Sequence, residues 1–91
     1  MSDETKAPEL PEVDFSNFVL SLAATAMVQL GMVPDPEMGE SGEPNLLIAK
    51  HTIDSLAMMR DKTQGNLDAE EEQLLDSMLY ELRMRFVEAG K

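Results

Sequence analysis

The chain has 91 residues, no cysteine, one histidine and a formal net charge of −11 from 18 acidic and 7 basic residues. That length fits a single domain, and the composition excludes disulfides and disfavours a structural zinc site. The negative charge repels phosphate backbones and anionic lipids, so we expect no nucleic acid as a partner, and a membrane surface is disfavoured.

Residues 1–13 are rich in acids and prolines, and we expect a disordered acidic tail there. Their first four residues, MSDE, lack the basic region and apolar run of a signal peptide. We therefore expect a cytoplasmic protein.

The first predicted helix spans about 14–31, with Asp14 or Ser16 as its N-cap and Gly31 as its C-terminal glycine. No charged residue occurs between Asp14 and Asp35. At helical spacing one broad apolar face is predicted to contain Phe15, Phe18, Val19, Leu22, Ala23, Ala26, Met27 and Leu30. The opposite face holds small or uncharged residues, namely Asn17, Ser21, Ala24, Thr25 and Val28.

A helix without a charged face is buried on most sides, either in a bilayer or in a helical assembly. Polar Asn17 and Gln29 and the acidic flanks argue against a membrane span. Small residues allow a second helix to approach closely. We therefore expect homodimerisation to complete the core, with an interface at Asn17, Ser21, Ala24, Thr25 and Val28.

Residues 32–44 contain three prolines and several acids, a composition typical of a loop, and the acids do not match the spacing of a calcium-binding loop. The second predicted helix spans about 45–64, between an Asn45 cap and Gly65. It directs Leu47 and Met58 away from its core face.

The third predicted helix spans about 69–89 and begins with a capping box formed by Asp68 and Glu71. Its outer face carries Tyr80, Met84 and Val87 at helical spacing. Because few residues separate it from the second helix, we expect the two to form an antiparallel hairpin. The predicted fold is all-α, with one domain at 14–89 and a short C-terminal tail at 90–91.

Residues capable of catalysis are sparse. His51 lies on the polar side of the second helix, and the acids at 68–72 spread around a helix end instead of converging. We expect no enzyme, no cofactor and no metal site.

Several strings are more specific: VDFS at 13–16, VPDPE at 33–37 and LRMRF at 82–86. With their surroundings, from Glu12 to Ala89, they resemble a family of short bacterial proteins known as domain of unknown function 1844. The resemblance implies a bacterial, cytoplasmic, stand-alone helical protein and transfers no activity or site residue.

The function is therefore unknown from the sequence. The best hypothesis is a non-catalytic, homo-oligomeric helical module that binds another protein through Tyr80, Met84, Val87, Leu47 and Met58. Two alternatives are an acidic regulator that docks on a basic partner and a membrane-associated protein that uses helix 14–31.

Overall fold

A computed structural model describes residues 10, 12–34 and 43–91, and within them the chain forms three helices and no strand. These are α1 (Phe15–Gln29), α2 (Leu46–Lys62) and α3 (Ala69–Ala89). The all-α prediction is confirmed, with α1 and α2 slightly shorter than predicted. The predicted tail lies almost wholly outside the described residues, as do residues 35–42 of the predicted loop.

Each helix begins at a side chain that satisfies its first free backbone N–H groups. Asp14 and Asn45 each accept a hydrogen bond from the backbone three residues later, at 2.7 and 3.2 Å. Asp68 accepts from the Glu71 backbone at 2.8 Å, and the Glu71 carboxylate accepts from the Asp68 N–H at 3.0 Å. The predicted caps and capping box are confirmed, so local sequence sets all three starting points.

The end of α1 is fixed by Gly31, which has a φ of 75°. Its N–H donates to the Val28 carbonyl at 2.9 Å, and the Met32 N–H donates to the Met27 carbonyl at 3.0 Å. This pair of bonds is the Schellman arrangement, which favours glycine because its left-handed backbone conformation strains other residues. Gly65 takes a similar conformation after α2, with a φ of 79°.

One hydrophobic core lies between the helices, and each helix contacts the other two. The hairpin of α2 and α3 covers one side of α1. The buried apolar residues are Val19, Ala23, Ala26, Leu30, Ala49, Ile53, Leu56, Leu75, Leu79 and Leu82.

Phe18 belongs to the predicted apolar face of α1, but the hairpin does not cover it, and its side chain is 55% exposed. The covered side of α1 is centred on Val19, Ala23 and Ala26. Phe18 is rotated about 100° from Val19 around the helix, which takes it to the edge of the α1 surface that the hairpin leaves open. The apolar face of α1 is thus wider than the surface available to cover it.

A polar contact joins α1 to α2 at one end of the bundle. The Thr52 hydroxyl, which is buried, donates to the Gln29 side-chain oxygen at 2.7 Å. The Asn45 N–H donates to the Gln29 carbonyl at 2.7 Å. Gln29 therefore positions the start of α2, a role that its place in an apolar helix did not reveal.

The predicted antiparallel hairpin of α2 and α3 is present. Arg60 near the end of α2 forms an ion pair with Asp76 in the first half of α3. At the other end of the hairpin, the Leu46 side chain lies against Gly90 at the C-terminal cap of α3. These contacts fix the relative register of the two helices.

We expect Leu75→Ala to lower the free energy of unfolding by about 2–5 kcal/mol, because Leu75 is fully buried and its truncation leaves a cavity. Urea denaturation followed by far-UV circular dichroism measures the loss. Leu47→Ala is the matched control, since Leu47 is 82% exposed, and it should change stability by less than about 0.5 kcal/mol. Equal losses in the two variants would contradict the assigned core.

We expect Thr52→Val and Gln29→Leu each to cost about 0.5–1.5 kcal/mol, because each removes the hydrogen bond between the two side chains, while the Thr52 hydroxyl also has the Ile48 carbonyl as an acceptor at 3.3 Å. The double variant should cost less than the sum of the two. A double-mutant cycle in urea measures this coupling. Strictly additive losses would show that the bond contributes nothing to the α1–α2 contact.

Candidate functional site

An open groove of about 530 Å³ runs along the outer side of α3. The structure brings the three predicted residues Tyr80, Met84 and Val87 together in it, and all three are exposed, Tyr80 to 67%. We call this feature the α3 groove. Its lining residues are Arg60, Asp76, Leu79, Tyr80, Arg83, Met84, Val87 and Glu88.

The α3 groove is apolar along its length and charged at its edges. Buried Leu79 contributes its inner wall, which joins the groove to the hydrophobic core. One edge carries Arg83 together with the Arg60–Asp76 ion pair. The arrangement suits a ligand that is apolar in the middle and polar at both sides.

The other edge of the α3 groove carries Glu88, and Glu81 lies beyond that edge, outside the groove lining. Glu81 and Glu88 are seven residues apart, so they lie in one row along α3. The Glu81 carboxylate accepts a hydrogen bond from Arg85 at 2.6 Å. The Glu88 carboxylate pairs weakly with Lys91, since its oxygen is 4.0 Å from the Lys91 nitrogen and both side chains are about 70% exposed. Glu88 is thus the more accessible acid for an incoming cation.

The other two predicted partner-binding residues lie on α2 and do not line the α3 groove. Leu47 belongs to a separate depression of about 340 Å³ with Ile48, Lys50, His51 and Asp54. Met58 is exposed but lines neither feature. The five predicted residues therefore do not form one surface.

The predicted oligomer interface lies on the side of α1 that the hairpin leaves open. Ser21, Ala24 and Thr25 are exposed, whereas Asn17 and Val28 are half-buried. The Asn17 amide also donates to Asp14 at 3.3 Å and to the Glu12 carbonyl at 3.1 Å, so it supports the start of the helix.

Exposed Phe18 and Leu20 widen this uncharged surface on α1. We call it the α1 outer face, defined by Phe18, Leu20, Ser21, Ala24 and Thr25. The Thr25 hydroxyl donates to the Ser21 carbonyl at 3.1 Å, so it needs no partner outside the helix. The face therefore presents mostly carbon atoms to its surroundings.

Many of the acids that the structure describes serve as helix caps or form ion pairs. Asp68 and Glu71 form the capping box, and Lys50 pairs with Asp54 at 2.8 Å. His51 is exposed on α2. Across 12–34 and 43–91, no group of three or more His, Asp or Glu side chains is arranged to hold a metal ion.

Sequence patterns indicated the apolar stripe of the α3 groove but missed its charged edges. Arg60 and Asp76 lie on different helices, sixteen residues apart, and only the packing of the hairpin brings them together. Arg83 and Glu88 were visible in the sequence, and their places on either side of the stripe follow from helical geometry. They could have been found by projecting the whole outer face of α3.

None of the helices in the part of the chain that the structure describes is long and apolar enough to cross a membrane. Searches of curated proteins and of solved structures found no match to the chain. A family model matches residues 12–88, which include α1, α2, all of α3 but its last residue, and both surfaces described above. The chain therefore belongs to the family described as Domain of unknown function (DUF1844).

Proposed function

We propose that this protein is a non-catalytic helical interaction module that self-associates through the α1 outer face and leaves the α3 groove free for another protein. The observation that carries the proposal is the exposed, uncharged surface of α1 in a chain with a net charge of −11. The cytoplasm of a bacterium is the setting that we assign to it, in keeping with the family resemblance of its sequence.

Electrostatics supports the choice of the α1 outer face for self-association. Two copies of a strongly acidic chain repel one another, and the repulsion grows as their charged groups approach and lose water. The described surfaces of α2 and α3 both carry acids, whereas α1 carries none from Phe15 to Gln29. Contact through α1 keeps the charges of the two copies farthest apart.

The chemistry of the α1 outer face supports the same choice. Burying Phe18 and Leu20 removes apolar surface from water, at roughly 25 cal/mol per Å². The Thr25 hydroxyl keeps its intrahelical bond when buried, so it adds little desolvation cost. Ala24 at the centre of the face lets a second helix approach closely.

We expect light scattering on a sizing column, without detergent, to give the mass of two chains at high concentration. Ala24→Glu should shift the protein to the mass of one chain, because it places an unpaired charge in the interface, and weaken association roughly 100-fold. Its far-UV spectrum should stay unchanged, since Ala24 is exposed in the single chain.

Gln73→Glu is the matched control for Ala24→Glu, because it adds the same charge at an exposed position on α3. It should leave the molar mass unchanged. A wild-type protein that stays a monomer at every concentration would reject the proposal. So would an Ala24→Glu variant that remains a dimer.

A further inference from the structure

The shape of the α3 groove limits what can occupy it. From Tyr80 to Val87 the apolar stripe covers two helical turns, or about 10 Å. Its members are spaced by four and then three residues, as in the seams between packed helices. A second amphipathic helix with apolar residues one turn apart matches this spacing, as in other helix-in-groove complexes.

The charges around the groove distinguish between possible helices. Glu88 lines one edge and Arg83 stands at the other. A second copy of α3 would bring its own acids to this surface, including Glu70 and Glu72 in its first turn. A basic helix from another protein would instead be attracted by exposed Glu88 and by the net charge of −11 on the whole chain.

We propose that the α3 groove binds a basic amphipathic helix of another protein. Its apolar side chains pack against Tyr80, Met84 and Val87, and its Lys or Arg residues face Glu88. Arg83 accepts an acidic residue on the opposite edge of the ligand and so fixes its orientation. This inference rests on the proposed function and names the class of partner.

The test uses two synthetic helical peptides of about 18 residues, long enough to form a measurable helix. Both carry leucines at helical spacing. One has lysines along one edge of the leucine stripe, and the other has glutamates at the same positions. Fluorescence anisotropy of each labelled peptide, titrated with the full chain at low salt, measures its dissociation constant.

We expect the lysine peptide to bind at least about tenfold more tightly than the glutamate peptide, with the preference weakening as salt screens the charges. Glu88→Lys should abolish or reverse this preference. The double variant Tyr80→Ala/Met84→Ala should weaken binding of the lysine peptide about tenfold or more. The matched double variant Leu47→Ala/Met58→Ala, with two exposed apolar residues removed from α2, should change it less than about twofold.

Equal binding of the two peptides, or equal effects of the two double variants, would overturn the proposal. A fall in molar mass caused by Tyr80→Ala/Met84→Ala would also overturn it, since a second copy would then occupy the groove. The Ala24→Glu variant separates the two proposals. If this variant is a monomer and still binds the lysine peptide, the groove acts independently of self-association. If the wild-type protein forms a dimer but does not bind the lysine peptide, only the proposal for the groove is rejected.

Discussion

The bundle depends on the contact between α1 and the hairpin of α2 and α3. The core draws buried side chains from all three helices, so the hairpin without α1 would expose much of its apolar face. A small domain has little stability to lose, because it buries a smaller fraction of its surface than a large one. The Gln29–Thr52 bond and the apolar contacts around Val19 and Ala26 are therefore central to the fold.

Charged residues are distributed unevenly among the three helices. The charged residues of the described helices lie on α2 and α3, where most serve caps or weak surface ion pairs, each contributing about 0–1 kcal/mol. Because these ion pairs add little to stability, the main effect of the acids is the negative electrostatic field that they create together. A net negative field of this kind repels anionic molecules and attracts cations.

The amino-acid pattern predicts the three helices, their caps and the hairpin because each depends on neighbours in the chain. Asp68 and Glu71, or the glycines at 31 and 65, act within one helical turn. Contacts between helices depend instead on residues that are far apart in the chain. Phe18 is exposed although it is on the apolar face of α1, because helical spacing shows which residues are apolar and not how much surface the other helices can cover.

The surfaces proposed as binding sites show the same difference between features of one helix, which the sequence predicts, and features that depend on how the helices pack. The Tyr80, Met84 and Val87 stripe is a property of one helix and was predicted from spacing. The Arg60–Asp76 edge depends on how two helices meet. Leu47 and Met58 share a helix face with each other but not with the groove, since wheels drawn separately for α2 and α3 carry no information about their mutual orientation.

The hydrogen bond between the Asn45 N–H and the Gln29 carbonyl has a consequence for how the chain tolerates change in length. It joins the end of α1 directly to the residue that caps α2, so the intervening residues start and finish at neighbouring points. Closing a loop costs only about 0.6 kcal/mol more for each doubling of its length. A peptide tag or a small domain could therefore be inserted between α1 and α2 at low cost in stability, leaving both the α1 outer face and the α3 groove intact.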